Sequence, residues 1–342
     1  NQMLWEHQAA QEIGLDWHVR MFCPSGFVEQ SDVIQFSRLV SARAGHGGVV
    51  KKARDWLFLR WEYHSWLMSL QNEYDVFVLR HYVHDPFQLM FIAQCRKPVY
   101  LVHHTIEVPE LSMPGGFVGL ARAFFERLLG KYAIRKSAGI IGVTQEIIDY
   151  EKVRSGALQK KSILYPNGII FNGGPIEDSR GDIPELLFVA GGFAPWQGLD
   201  LLLVAMQESD ADFILHLVGS LSKADRAVAE SDPRIVLHGN LSHFEICRLA
   251  SKCWIGLSSF ALHRKHMKEA CPLKVREYLM LGLPVYAQYI ESLPADFKFY
   301  RNSALDIKKI IEFAREHRQV PKSFIAASSR RFIDKVEILR RV

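Results

Sequence analysis

Two glutamates, Glu269 and Glu277, stand with seven residues between them in the stretch EACPLKVREYLMLGLPVYA, residues 269–287. The spacing predicts a helix from Leu273. Leu273, Val275, Tyr278, Leu279 and Leu281 can supply a buried face, Gly282 suits the C′ position, and Pro284 follows. Glu269 then precedes the helix and Glu277 lies just over one turn inside it. A helix N-terminus carries unpaired N–H groups and the positive end of the dipole. The amides of Cys271, Leu273 and Lys274, on either side of Pro272, could therefore draw a diphosphate. Glu277 could accept hydrogen bonds from both hydroxyls of a ribose, and Glu269 could face sugar hydroxyls. A plainer reading also fits, in which Glu269 complements the dipole and Glu277 pairs with a neighbouring Lys or Arg.

The elements before this stretch would have to place it. Residues 186–203, LLFVAGGFAPWQGLDLLL, read as a strand ending in Gly191-Gly192, a loop carrying Gln197, and a helix from Leu199. Glycines between a strand and a helix let the backbone approach a ligand, although an ordinary two-glycine turn has the same composition. The spacing is neither GxGxxG nor a P-loop. The next strand, FILHLVGS, ends at Gly219, IVLHGN ends at Gly239, and WIGLSSF ends in Ser258-Ser259. Four strands in succession ending in small residues suggest one edge kept open for a flat, polar ligand.

Short β-rich runs alternate with helical patterns almost throughout. Strands are expected at 17–22, 76–79, 99–103, 139–143, 162–165, 186–190, 213–218, 235–238, 255–257 and 285–287. Helices are expected at 3–13, 49–71, 116–137, 145–155, 199–208, 223–230, 243–251 and 273–281. This alternation argues for an α/β fold with parallel sheets covered on both faces. The chain has 342 residues, which suits two domains of about 150 each. The stretch 171–184, rich in Gly, Pro and charge, reads as a linker. We therefore expect a first domain at 1–172, a second at 173–324, and a final helix at 325–342 that returns to the first. Because residues 3–13 already read as a helix followed by a strand, an opening strand and loop are expected upstream of Asn1.

Composition is that of a folded globular protein, and the net charge of +5 is modest. There is no run of about 18 apolar residues, no apolar signal-peptide core in residues 1–14, and no nucleic-acid module signature. The five cysteines are scattered and lack zinc-ligand spacing, as for reduced thiols in the cytoplasm. Basic residues thicken at 38–60 and again at 330–341. The first run is interleaved with or followed by Trp56, Leu57, Phe58, Trp61 and Trp66. A solvated helix face accounts for such a run; an amphipathic surface meeting anionic lipid or a phosphorylated acceptor is the second reading.

The order GGFAPWQGLDLLL, HLVGS, VLHGNLSHFEICRLASKCWIGLSS and EACPLKVREYLMLGLPVYA resembles the donor half of a GT-B-fold glycosyltransferase. Specifically, it is similar to the retaining family 4, the glycogen-synthase-like group. The likeness covers residues 186–287 and extends more loosely through VYLVHH, IIGVTQEI and YPNGI. It implies two Rossmann-like, doubly wound parallel-sheet domains facing a cleft, and transfer of a sugar from a nucleotide diphosphate sugar. By this resemblance Glu277 binds the ribose and Glu269 the transferred sugar. Gly191, Gly192, Gln197 and Gly219 line the donor, and Cys271, Pro272, Leu273 and Lys274 face its phosphates. His104, or its neighbour His103, falls where the family has a histidine near sugar and acceptor.

One departure bears on catalysis. Gly192 and Gln197 occupy positions where many members carry an Arg and a Lys that neutralise the departing diphosphate. Lys274, Arg264 and Lys265 are candidate substitutes. The expected activity is that of a metal-independent, retaining hexosyltransferase acting on a glycan or lipid-linked acceptor, with no cofactor. It would be cytoplasmic, with peripheral contact at the inner face of a membrane as a further expectation. A non-catalytic nucleotide-sugar-binding scaffold and a GT-B-type sugar-nucleotide epimerase are the alternatives.

Overall fold

The computed structural model describes residues 2–24, 38–40, 48–113, 115–171 and 177–341. Parts of the expected linker (172–176) and of the first basic run (41–47) lie outside the described residues. The chain forms two compact units that divide between Pro166 and Asn167.

The first unit contains helices α1 (Gln2–Glu12), α2 (Val49–Leu70), α3 (Pro86–Gln94), α4 (Glu107–Ser112), α5 (Gly116–Lys136) and α6 (Gln145–Ser155). Its strands are β1 (Phe22–Pro24), β2 (Arg38–Val40), β3 (Phe77–Arg80), β4 (Val99–His103), β5 (Gly139–Gly142) and β6 (Ser162–Leu164). Strands β3 to β6 form a four-stranded parallel sheet in sequence order, with Phe77 opposite Val99 and Tyr100 opposite Gly139. Equal steps with right-handed crossovers put α3, α5 and α6 on one face. Helix α2 packs beside α3, extending that layer. Phe77, Leu79, Phe91, Leu101, Ile134, Ile140 and Ile148 fill the space between sheet and helices. The strand expected at 17–22 begins only at Phe22; Arg20 before it is held by its side chain, with Nε donating to the Tyr74 hydroxyl at 2.8 Å.

The second unit contains β7 (Glu185–Gly192), β8 (Ile214–Ser220), β9 (Ile235–Gly239), β10 (Ile255–Leu257), β11 (Glu269–Ala270), β12 (Val285–Ala287), β13 (Ile290–Glu291) and β14 (Tyr300–Asn302). Its helices are α7 (Leu199–Gln207), α8 (Lys223–Ser231), α9 (His243–Ala250), α10 (Leu273–Met280), α11 (Ile307–Glu316), α12 (Lys322–Ile333) and α13 (Lys335–Leu339). Six parallel strands run in the order β14-β12-β10-β7-β8-β9. The chain enters at β7, builds outward through β8 and β9, then returns to β7's other side with β10, β12 and β14. The edge strands β9 and β14 are partly exposed, while the inner strands are largely buried apolar runs, with Leu186, Phe188, Leu215, Leu217, Ile255 and Leu257 in one core with Leu202, Met206, Ile310 and Phe313. Each such side chain contributes roughly 1.5–3 kcal/mol through burial.

The division at Pro166/Asn167 differs from the expected boundary at 172, and residues 325–341 lie in the second unit. The reason is local pairing. The Ile169 N–H donates to Ile333 O at 3.0 Å, and Lys335 N–H donates to Ile169 O at 2.9 Å. At Gly168 a Cβ would lie 2.9 Å from Lys335 Cα, so the glycine admits this approach.

Gly219 is demanded by the fold before any ligand is considered. Its φ is +124°, and a Cβ there would lie 1.7 Å from Ala190 O, where β7 and β8 change register. At Gly191 a Cβ would meet nothing within 4 Å. Gly219→Ala is expected to cost at least ~3 kcal/mol in urea unfolding, while Gly191→Ala stays under ~1 kcal/mol.

Candidate functional site

In the six-stranded sheet, β7 and β10 are neighbours whose connections leave in opposite directions. That is the switch point, where loops at the carboxyl ends of two strands part and leave a crevice. The two loops that flank it are the ones singled out by sequence. Gly191 and Gly192 end β7 and Gln197 lies on the loop after it, the segment after β10 leads to Glu269 on β11 and Glu277 on α10, and Gly219 stands one residue before the end of β8 on the same edge.

Direct bonds tie the two loops together. Phe260 N–H donates to Gln197 O at 3.0 Å, and Arg264 Nη1 donates to Pro195 O at 2.7 Å. Arg264 also holds Asp200 with both its terminal nitrogens, at 2.9 and 2.7 Å. Lys265 Nζ lies 4.9 Å from the centre of the Trp196 ring. Both cations thus brace the β7 loop. The Gln197 side-chain oxygen is buried without a hydrogen-bond partner.

Lys274 differs from these two. Its stem is half-buried, but its ammonium is enclosed, lies 5.1 Å from the centre of the Phe188 ring, and has no hydrogen-bond partner. Burial brings it down to about 8, against the pull of Glu277. A buried ammonium without an acceptor calls for an explanation, since such groups are normally satisfied. Burial raises the Glu277 carboxyl, and His243 on α9 and Lys274 oppose that rise. Glu277, midway along α10, thus stands within electrostatic reach of His243, the first residue of α9, and of Lys274. Pro272 precedes α10 in extended conformation and offers no side-chain cap, so the first amides of the helix face outward from it uncapped.

What holds this loop in place was not read from the sequence. Glu269 and Ala270 form β11, which pairs in parallel with Ile290 and Glu291 of β13. Arg276, on the inner face of α10, reaches Glu291 Oε1 at 2.7 Å; neither side chain has any exposure. The same guanidinium donates through Nε to Asn167 O at 3.0 Å. Asn167 in turn donates from its side chain to Cys271 O at 2.6 Å and from its backbone to Cys271 Sγ at 3.1 Å. Burial pushes the Cys271 thiol up to about 11, so the sulfur accepts as a neutral group. Deeper in the helix, the Tyr278 hydroxyl accepts from Val189 N–H at 2.7 Å, a donor left over where β7 outruns β10. The one available signal was a charged residue, Arg276, beside the apolar face of α10.

In the first unit, His103 ends β4 and is fully buried, whereas His104 is half-buried just beyond it. His103 belongs to an ionic network that the sequence reading missed. Its Nδ1 is 2.8 Å from Glu107 Oε1, and its ring stacks on His81 at 4.6 Å. Burial lowers His103 to about 3, which keeps the imidazole neutral. His81 Nε2 lies 2.9 Å from Glu126, and Arg154 bonds both Glu126, at 3.0 Å, and Glu151. Burial alone would raise Glu126, but His81, Arg154 and the His84 amide outweigh it and hold the carboxyl at about 2. Glu151 is raised to about 7 by burial and by the neighbouring Glu107, with which it shares a hydrogen bond. One proton between those two carboxyls satisfies the bond.

Among the described residues, two groups of three could offer ligand atoms to a metal: His103, Glu107 and Glu151, and Glu185, His216 and Cys253. In the second, His216 is already bonded on both nitrogens, to Glu185 at 2.7 Å and His238 at 3.0 Å. That group stands at the amino end of β7, away from the loops described above.

No protein-family model and no curated protein matches the chain by sequence. Solved structures do resemble it. A glycosyltransferase from Rickettsia africae aligns at 10% identity over 99% of this chain and 92% of that one, with a TM-score of 0.65. The lipopolysaccharide outer core galactosyltransferase WaaB, in its apo form, aligns at 11% identity over 94% and 98%, with a TM-score of 0.58. The Anabaena protein HepE, solved with UDP-glucose, aligns at 12% identity over 95% and 98%, also at 0.58. These likenesses define the fold: the chain has the two-domain GT-B architecture of glycosyltransferases, with a parallel α/β sheet in each half.

Two predictions follow from the buried charges. Arg276→Leu strands Glu291 and is expected to cost about 3–5 kcal/mol, whereas Arg276→Leu with Glu291→Leu costs much less; chemical unfolding of the three proteins checks this. The second concerns Glu151, whose folded value lies above its unfolded one. Its contribution is full below pH ~4.5 and is lost as pH rises through about 7. Glu151→Gln removes that loss, so between pH 5 and 8 the variant should gain on the parent by up to roughly 3 kcal/mol.

Proposed function

We propose that the chain is a retaining glycosyltransferase that moves a sugar from a nucleoside diphosphate sugar to a glycan or lipid-linked acceptor. The observation that carries this is the unpartnered, enclosed Lys274 ammonium beside Glu277 and the uncapped start of α10, at the switch point of the sheet. The comparison structures support a nucleotide-sugar donor: HepE was solved with UDP-glucose.

In this reading the diphosphate lies against the first amides of α10, and Lys274 supplies the cation that Gly192 and Gln197 do not. Arg264 and Lys265 are committed to the β7 loop. Glu277 accepts from the ribose hydroxyls and Glu269 from those of the transferred sugar. Breaking the bond from the sugar's anomeric carbon to the diphosphate oxygen builds positive charge on the sugar and negative charge on the leaving group. The helix end and Lys274 stabilise the second, without requiring a metal. The acceptor hydroxyl attacks the face that the leaving group departs from, and its proton passes to the diphosphate. His104 is assigned to the sugar and acceptor side.

A second reading rests on Gly192 and Gln197: without the two cations, the protein would bind a nucleotide sugar and not turn it over. Slow release of nucleoside diphosphate without acceptor supports the transferase, and saturable binding with no release supports the binder. Thermal shift against UDP-, GDP-, ADP- and TDP-sugars identifies the donor.

Glu277→Ala is expected to weaken donor binding at least about tenfold, as loss of hydrogen bonds to a charged acceptor does; unchanged affinity would refute the ribose assignment. Lys274→Ala is expected to lower kcat about 10²–10³-fold with the fold intact. The ammonium is present below and lost above about 8, so kcat/KM should fall as pH rises past that value. The Lys274→Ala variant should lack that limb.

A further inference from the structure

Helix α5 is packed inside out. Its inward positions are Gly119, Ala123, Glu126, Gly130, Ala133 and Ile134. Its large apolar side chains point the other way: Phe117 is 87% exposed, Leu120 61%, Phe124 56%, Phe125 54% and Tyr132 53%. Phe117, Leu120, Phe124, Leu128 and Tyr132 follow one another at three- and four-residue intervals, so they form a single stripe along the outer face. An amphipathic helix serving only its own core shows the reverse arrangement.

The charges on α5 say what would cover this stripe. On a 3.6-residue turn Arg127 borders it on one side and Lys136 on the other, Lys131 falls beside Leu120 and Phe124, and Arg122 lies further round, its Nε donating to His84 Nε2 at 3.1 Å. Glu126, the helix's single acidic residue, is buried on the inner face. A second copy seated on the stripe would bring two basic borders together, which like-charge repulsion opposes. An anionic lipid surface accepts both features at once, the apolar stripe entering the acyl boundary and the cations meeting phosphates. The helix has 21 residues, but its charges bar it from crossing a bilayer, and no helix among the described residues is long and apolar enough to do so. Helix α2, in the same layer, adds partly exposed Trp56, Leu57, Phe58 and Trp61, an aromatic set suited to a membrane interface.

We propose that the outer face of α5 docks the protein on an anionic phospholipid surface, lying flat in the headgroup region. This does not rest on the assignment of the donor site. The test is co-sedimentation of the full chain with vesicles of phosphatidylcholine alone and of phosphatidylcholine with phosphatidylglycerol. Binding is expected only to the second, weakened by high salt. It should fall at least about tenfold in Phe124→Asp/Leu128→Asp and in Arg127→Glu/Lys131→Glu. Circular dichroism and melting should match the parent, since these side chains are on the outer face. Release of nucleoside diphosphate in vesicle-free buffer should also be unchanged, so either reading can fail without the other. No sedimentation at low salt, equal sedimentation with neutral vesicles, or variants that sediment like the parent would each overturn the proposal. So would a dimer, seen by sedimentation velocity, that Phe124→Asp/Leu128→Asp dissolves.

Discussion

Arg276 and Glu291, 2.7 Å apart and wholly removed from water, set the geometry on which the candidate site depends. Taking two such charges from water costs several kcal/mol each, and only close pairing with further hydrogen bonds offsets that cost. Two such bonds are present, while the buried Arg276 Nη2 and Glu291 Oε2 have no hydrogen-bond partner. Asn167 O receives the guanidinium Nε, and the Ser292 N–H donates to Glu291. An apolar pair of similar volume would give as much stability, so the ion pair is better understood as a device of register. It fixes α10 against β13 and, through β13, the strand that carries Glu269. Asn167 extends the same constraint to Cys271 at the helix entrance. Glu269, the free start of α10, and Glu277 are thereby held by one buried network rather than by a flexible loop.

That rigidity lets the sheet's carboxyl edge stay open. Gly191 and Gly192 meet nothing, or only Ser220 O at 3.9 Å, where a side chain would be. Arg264 and Asp200 brace the β7 loop from the side. Preorganisation of this kind is what charge stabilisation requires, since donors that must reorganise when charge develops contribute less. Lys274 is the element with most at stake. Enclosed and unpartnered, it carries a desolvation penalty that an arriving diphosphate would relieve, so the same burial that lowers its affinity for a proton raises its affinity for an anion.

Much of this was legible in the residues. Alternating strands and helices gave two parallel α/β halves, and the helix over 273–280 with Gly282 beyond it stands where its periodicity put it. The edge of small residues is present too, although Gly219 answers first to the close passage of β7 and β8. Other features were hidden because they join residues far apart in the chain. Nothing local in Asn167, Arg276 and Glu291 announces that they meet, and a Pro-Asn-Gly stretch looks like a boundary whichever unit it belongs to. The linker composition of 171–184 drew the expected division past Asn167, where the second compact unit begins. The network around His81, His103, Glu107, Glu126, Glu151 and Arg154 was missed for the same reason. Three carboxylates on three helices look solvated until the sheet brings them under one roof.

The same lesson, inverted, applies to α5. Hydrophobic periodicity normally names the face that is buried, and here it names the face that is not. The reversal has a structural cause. Glu126 must reach inward to His81 and Arg154, and Gly130 must stay bare because a Cβ there would lie 2.0 Å from the Glu126 carboxylate. The small residue at Gly130 is thus imposed by the buried network and that at Gly119 by Leu111 O, 3.0 Å from where a Cβ would lie, while the large apolar residues stand on the outside. A helix bound so tightly by its charges gains little from burying Phe117, Phe124 or Leu128 within its own unit. Their exposure carries a continuing cost in water, and it is the basic borders, not the apolar stripe alone, that distinguish a lipid surface from other ways of relieving it.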